Sequence, residues 1–508
     1  MSETLKTRQE RVWARIHVAF CLFFIFFYAY NPVNKYLWNT VRQTYVLLMI
    51  PLMVGLYYYI RRLEGGLEQK LMTAYALWFF LTRLMLGDIW FKGHMEADVL
   101  GELAVSSVIL PVGSMLNRDG RRRVLNWLCL GLSVYFFPLG LVGIYAFYTR
   151  ISVYNPITEA TIAGVSDVGS NIRINLTDLN PNISAFLFFL MFFLMVYQFF
   201  SCRKKFWRIP IVISAAVYYL IMVFTFSRNI MFTFSVCMAM LAALLLLKVL
   251  AGRKKWVQAL AVALTIALVV PLGVKSFDVT AGLVSKAIVA NMAENSAQAA
   301  ETSAVQITTA ELQPLSSEAP AAAPAITEDN YTDHRDLGEA ISTLSGRDQI
   351  FKGVVYSAVE EPIRLLRGSL FDHVMDVANQ HLKHKHYHYH NYLLQVYGLT
   401  GLPGFLLVLA FSVLTIIRMI RAFFSTDPRM SLPVKILTVL LTGYFLYGMA
   451  EIPMFGFTDV RSYPFFLIVG IFLVYSYEIH PPKAEYSIKS MLHIGKNMAP
   501  VDRERYLG

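Results

Sequence analysis

Charge is scarce in this chain of 508 residues. Asp, Glu, Lys and Arg make up 16% of it, against about 25% in a typical soluble domain. Cysteine is scarcer still. Cys21, Cys129, Cys202 and Cys237 all lie in or beside apolar runs, which excludes a disulfide framework as the organising device. The sequence has no P-loop, no dinucleotide glycine fingerprint, no HExxH pair and no Gly-x-Ser-x-Gly elbow. Those gaps argue against nucleotide chemistry, zinc hydrolysis and serine-elbow acyl transfer. Energy for any reaction then has to arrive with an activated substrate. After the first apolar run no small-residue cleavage site follows, so that run reads as a retained membrane helix and not a removed signal peptide.

Apolar sequence is what the chain has in excess: 56% of residues are hydrophobic and 14% aromatic. Runs long enough to approach a bilayer crossing fall near 16–31, 43–60, 71–87, 97–116, 124–148, 183–201, 209–226, 229–250, 256–274, 392–420, 434–454 and 462–478. The expected fold is therefore an all-α polytopic membrane protein of about twelve spans, some borrowing flanking residues to reach the roughly 20 needed.

The net charge is +11, but the cations sit in clusters between apolar runs. That pattern reports orientation and not nucleic-acid binding. With the N-terminus inside, the even gaps hold Arg61, Arg62 and Lys70; Arg118 and Arg121 to Arg123; Arg203 to Lys205 and Arg208; Lys248 and Arg253 to Lys255; Arg418, Arg421, Arg429 and Lys435. The odd gaps are poorer in Lys and Arg. Both termini are expected in the cytoplasm, with residues 479–508 as a cytoplasmic tail.

The chain thus divides into helices one to nine over 1–274, a large extracytoplasmic loop at 275–391, and helices ten to twelve over 392–478. A second long outside gap covers 149–182. Residues 292–330 carry no Lys or Arg and are rich in Ala, Ser, Thr, Glu and Pro. That composition is expected to be disordered, and 335–389 partly helical. Ser345–Gly346–Arg347–Asp348 can open an amphipathic helix whose apolar face is Ile350, Val354, Val355 and Ala358, ended before Pro362.

The most distinctive stretch is His381 to Gly404, HLKHKHYHYHNYLLQVYGLTGLPG. Histidines at 381, 384, 386, 388 and 390 lead into His390–Asn391, nine further residues, then Gly401-x-x-Gly404. Alternate histidines in an extended segment share a face, so a metal site and a solvated polar collar both fit. Cysteines and paired carboxylates are missing nearby, which favours the collar. Gly398, Gly401 and Gly404 would form a small-residue strip for close helix approach.

The His390–Asn391–(nine residues)–Gly401-x-x-Gly404 pattern resembles the signature of the O-antigen ligase and O-antigen polymerase superfamily. Its members are bacterial membrane glycosyltransferases that use lipid-diphosphate-linked sugars. The resemblance implies an inverting, metal-independent glycosyl transfer from a polyprenyl, undecaprenyl-type, diphosphate glycan at the outer face of the cytoplasmic membrane. The acceptor would be a hydroxyl of lipid A core, another glycan, a lipid or a protein. It implies no cofactor and no nucleic-acid partner. A polysaccharide polymerase would use the same machinery. A transporter or lipid flippase is the rival from another class, though its long link is expected inside and its internal repeats are not evident.

Site residues follow from both readings. Arg228, in Thr225–Phe226–Ser227–Arg228–Asn229, stands in a tight turn between apolar runs. It either snorkels to water or grips a ligand, and the resemblance assigns it to the donor diphosphate. The resemblance assigns Arg347 likewise. Arginine suits that task because its planar fork holds phosphate oxygens in pairs. His390 is the expected general base, with Asn391 to orient it. Arg173, before Asn180–Pro181–Asn182, matches more loosely as a donor contact, and Asn182 reads first as a helix cap. Arg83, Asp88, Glu451, Asp459 and Arg461 also fall near the outer face, with Arg83 and Glu451 as further substrate-side candidates. Glu451, inside an apolar run, either orients His390 or forms a structural ion pair with an arginine. Asp372 and Asp376 resemble paired catalytic carboxylates, but a solvated helix face explains them better.

Overall fold

A computed structural model describes residues 3–30, 66–86, 108–154, 161–168, 171–176, 180–250, 252–307, 347–370, 373–380, 389–455 and 461–479. Within them the chain is mostly helical. The principal helices are α1 (Glu3–Tyr30), α2 (Leu67–Leu86), α3 (Arg118–Thr149), α4 (Pro181–Ser201), α5 (Arg208–Phe224), α6 (Arg228–Val249), α7 (Lys255–Ile307), α8 (Arg347–Glu360), α9 (Tyr392–Phe423), α10 (Leu432–Gly448) and α11 (Ser462–Ile479). Seven segments are long and apolar enough to cross a membrane, in α3, α4, α5, α6, α7, α9 and α11; shorter apolar stretches lie in α1 and α10. The run expected at 43–60 lies outside the described residues. The run at 97–116 is described only from Val108, where it forms a short 3₁₀ turn, Leu110–Met115, packed on α11.

Local chemistry sets the helix starts. Asn117 caps α3 by accepting from the Gly120 amide at 2.9 Å. Asn180 caps α4 by accepting from the Asn182 amide at 2.9 Å, with Pro181 in the first turn. That corrects the expectation for Asn182, whose side chain is left for another task. Helix α7 has 53 residues, about 80 Å at 1.5 Å per residue. It runs past the expected boundary at 274 into the segment expected to be disordered. Ala293, Ala297, Ala299, Ala300 and Ala304 favour helix, and the first proline beyond them is Pro314. Residues 308–346 lie outside the described set. Helix α8 spans the amphipathic stretch, with Ile350 buried and Val355 and Val359 exposed.

The first long gap is not helical. It carries an antiparallel sheet of β1 (Val153–Tyr154), β2 (Thr161–Val168) and β3 (Asn171–Leu176) in the order β1-β2-β3, with Ser166 opposite Arg173. Ile174 and Leu176 are buried where the sheet meets α3.

Aromatic packing joins α4 to α10. Phe186 lies against Tyr444 and Tyr447 at 4.7 and 4.5 Å between ring centroids, and the Tyr447 hydroxyl donates to the Asn182 carbonyl at 2.7 Å. Gly443 meets Phe189 further along. Rising numbers on α4 meet falling numbers on α10, so the two helices are antiparallel. Short turns at 202–207 and 225–227 make α5 antiparallel to both α4 and α6. The starts of α4, α6 and α9 and the ends of α3, α5 and α10 therefore share one end of the bundle.

The expected basic gaps gather at the other end. Arg118 donates to the Arg429 carbonyl at 2.6 Å, Arg121 pairs with Glu478, Arg122 donates to the Ser201 carbonyl, and Arg418 pairs with the buried Glu68. Residues from four of those gaps thus meet at one end of the described bundle.

Candidate functional site

The site forms where three helix ends converge. His390 has a φ of 50°, a left-handed conformation that few side chains adopt but histidine adopts more than most. Asn391 then returns to extended geometry and caps α9, its Oδ1 accepting from the Leu393 and Leu394 amides at 3.0 and 3.1 Å. Its Nδ2 donates to the Met449 carbonyl at 3.0 Å. Asn391 is buried and joins the start of α9 to the end of α10. Its amide holds backbone on both sides, so it places His390 through the chain.

Glu451 follows α10 directly and is only 7% exposed. A carboxylate so placed needs partners, and it has them. His390 Nδ1 lies 3.3 Å from one oxygen, and Asn182 Nδ2 donates to the other at 3.3 Å. His390 stands just before α9, Glu451 just after α10 and Asn182 in the first turn of α4. The carboxylate favours the tautomer with hydrogen on Nδ1, in which Nε2 carries the lone pair. Ile452, next to Glu451, is held as well. Arg461 Nη2 donates to the Ile452 carbonyl at 3.1 Å, and the Tyr444 hydroxyl to the Arg461 carbonyl at 3.0 Å.

Behind His390, Tyr389 is buried. Its amide donates to Gln395 Oε1 at 3.1 Å, and burial pushes its phenol up to about 12, so it is neutral scaffold. Gly398 makes room for the Tyr389 ring, which a Cβ there would meet at 2.8 Å.

Helix α9 is broken a little deeper. Gly401 has φ 68° and ψ −169°, and a Cβ on it would lie 2.5 Å from the Leu366 carbonyl oxygen. The small-residue strip therefore admits a backbone turn at Gly401, and α2 through Trp78 at Gly404. The break frees backbone carbonyls, and Pro403 has no N–H to return to Leu399 four residues earlier. Each freed carbonyl has a donor. Arg83 serves Leu399, and also Ser369 at 2.9 Å. Trp78 Nε1 serves Thr400 at 2.8 Å, and the Ser369 amide serves Gly398 at 2.8 Å. Irregular backbone at membrane depth survives only when satisfied in this way. Arg83, expected on the substrate side, is 2% exposed and committed to these carbonyls.

Arg228 begins α6, after a turn in which Phe226 has a φ of 47°. The antiparallel packing puts it at the same end as His390. Arg173 belongs to the sheet at that end. Arg347 is the first residue of α8, which packs at Gly353 against Ala378 and Tyr389. The structure thus brings His390, Glu451 and Asn182 into contact, with Arg228 and Arg173 on elements at the same end of the bundle. Asp88, Asp459, Asp372 and the histidines at 381–388 lie outside the described residues. Asp376 pairs with His373 at 2.5 Å.

Compared with known proteins, the chain matches no family model and no curated sequence. What can be argued about function rests on the residues themselves. Trp78 is a contributor that sequence reasoning passed over, and Asn182 is one that it assigned to a helix cap. The signal for Asn182 was the second asparagine after Asn180–Pro181, since one cap leaves the other amide available.

Proposed function

We propose that this chain is a membrane glycosyltransferase of the O-antigen ligase type. It moves a glycan from a polyprenyl diphosphate to a hydroxyl acceptor at the outer face of a bacterial cytoplasmic membrane. The observation that carries the reading is the His390–Glu451 pair at the converging helix ends. A histidine backed by a buried carboxylate is suited to take a proton, because the carboxylate holds the tautomer and stabilises the imidazolium that forms. His390 Nε2 accepts the hydroxyl proton of the acceptor. The freed oxygen attacks the anomeric carbon, and the bond from that carbon to the diphosphate breaks. The leaving polyprenyl diphosphate keeps the electron pair, and Arg228 and Arg347 stabilise its charge. A single displacement of this kind inverts the anomeric centre. Arg173 extends the donor site. Neither a cofactor nor a metal takes part.

The membrane arrangement belongs to the same proposal: twelve spans, both termini cytoplasmic, and the loop between spans nine and ten outside. Support comes from the basic gaps meeting at the end opposite His390. A polysaccharide polymerase would use the same residues with a second lipid-linked repeat as acceptor. A flippase would move the lipid without breaking its sugar–phosphate bond. One assay separates these readings. Purified protein is mixed with lipid-diphosphate glycan and each acceptor, and released polyprenyl diphosphate is measured. Release that needs lipid A core supports the ligase, release with donor alone supports the polymerase, and no release with any acceptor defeats the transferase reading.

A further inference from the structure

At the end of α4 away from Asn182, about 30 Å along its axis, lies an open surface depression of about 490 Å3 lined by Asp119, Arg122, Arg123, Asn126 and Arg203. The first four occupy one face of the opening turns of α3, at i, i+3, i+4 and i+7. Arg203 comes from the turn between α4 and α5. Three arginines against one aspartate leave two net positive charges. Arg122 is anchored, because its guanidinium donates to the Ser201 carbonyl. Asn126 Oδ1 is buried, and among the described residues no donor reaches it. A bare anion would satisfy the arginines but not that acceptor, which calls for a hydroxyl or amine hydrogen.

The surroundings are amphiphilic in a definite order. Trp127, Phe206 and Trp207 flank the lining residues in sequence and are exposed, as aromatic residues are at a membrane–water interface. Beyond them α3 exposes Leu130 and Val134, and α5 exposes Ile209, Val212 and Ile213. Helices α3 and α5 pack together. Phosphate-binding groups, an acceptor for hydroxyls, an aromatic belt and an apolar wall follow one another toward the membrane interior.

We propose that this depression binds the headgroup of an anionic phospholipid bearing free hydroxyls, of the phosphatidylglycerol class. The phosphate lies among Arg122, Arg123 and Arg203. A turn of the half-buried Asn126 side chain brings its Oδ1 into the depression, where a headgroup hydroxyl donates to it, and the acyl chains run along α3 and α5. Basic pockets at helix ends recognise lipid headgroups in this manner. The site is remote from His390 and independent of the proposed reaction.

The test is thermal unfolding of the purified full chain in a neutral detergent, titrated with short-chain phosphatidylglycerol. Phosphatidylcholine and phosphatidic acid of the same chain length, and inorganic phosphate, are titrated in parallel. Phosphatidylglycerol is expected to raise the midpoint through binding to the folded state, phosphatidic acid to do so more weakly, and phosphatidylcholine and inorganic phosphate to leave it unchanged. In the double variant Arg123→Ala, Arg203→Ala, half the shift should need at least about tenfold more phosphatidylglycerol, from the lost charge-assisted bonds. Both side chains are exposed, so folding should survive. Asn126→Leu should erase the preference for phosphatidylglycerol over phosphatidic acid. Equal shifts from phosphatidylglycerol and phosphatidylcholine overturn the proposal. An equal shift from inorganic phosphate reduces the depression to a free-anion site and overturns the lipid assignment, as does an undiminished response in the double variant.

Discussion

Replacing Arg83 by Met tests the account of the broken helix without any assumption about function. Methionine fills similar space but donates nothing. The change strips the donor from two carbonyls, Leu399 and Ser369, whose residues are 0% and 5% exposed. An orphaned buried carbonyl costs about 1–3 kcal/mol, so two cost about 2–6 kcal/mol if nothing else reaches them. Hydrogen bonds in membrane proteins can be worth only about 0.6 kcal/mol each where the groups find new partners. Here Leu399 has no such recourse along its own helix, because Pro403 stands where the N–H would be. A loss above about 2 kcal/mol is therefore expected, less whatever is regained by no longer burying a guanidinium. Arg83→Lys should fall between, since an ammonium can still donate to one carbonyl. The measurement is the unfolding midpoint in a denaturing-detergent titration followed by circular dichroism. An Arg83→Met protein as stable as the parent would show that the carbonyls are satisfied otherwise, and the account of the break would fail.

Three further outcomes concern the reaction. Glu451→Gln keeps a hydrogen-bonding group beside His390 but removes the charge. One charge-assisted bond, about 1.5–3 kcal/mol, is then lost, so kcat should fall about 10- to 150-fold with KM little changed; a parental kcat would remove Glu451 from the mechanism. His390→Ala should lower the rate on the order of 10²–10⁴-fold, and changing His384, His386 and His388 together to Gln should lower it far less. Inactivation by the triple change and by chelators, with His390→Ala still active, would point to a metal site instead. Arg228→Lys keeps a charge but loses the planar fork, so turnover should drop, and further in Arg228→Ala. An Arg228→Lys enzyme at the parental rate would mean that Arg228 does not hold the diphosphate.

The described apolar helices were legible because their runs are long, a signal set by the membrane and not by tertiary detail. The start of α8 was legible from Ser345–Gly346–Arg347–Asp348, and its end from Pro362. The sheet in the first gap was not read, although β3 alternates strictly as Asn171–Ile172–Arg173–Ile174–Asn175–Leu176. That period of two is a strand signal, but it covers few residues in a chain dominated by helical runs. The break at Gly401 was hidden for another reason. A glycine strip is compatible with close helix packing and with a kink, and only the approach of the Leu366 carbonyl decides between them. Glu451 could be flagged as costly from its apolar surroundings. Orienting His390 was one of the two roles open to it, and the contact with His390, together with Asn182 as a further partner, needed the three-dimensional arrangement.

The break and the His390 pair are linked by one short piece of helix. Between Asn391 and Gly401 lies a half-helix fixed at both ends. Asn391 caps its start against Met449, and Arg83 and Trp78 hold the carbonyls at its finish. Tyr389 fills the groove that Gly398 leaves. A continuous α9 would have to carry an N–H at 403 and a helical residue at 401, and the loop at Leu366 would then have no room. Breaking the helix lets the half that presents His390 be set by α2 and by the loop at 366–369, not by the rest of α9. Side chains held from several directions keep their geometry better than side chains on one long lever. The irregular backbone at Gly401 is thus part of what places the imidazole against Glu451, and loosening the Arg83 contacts should disturb that pair as well as the helix.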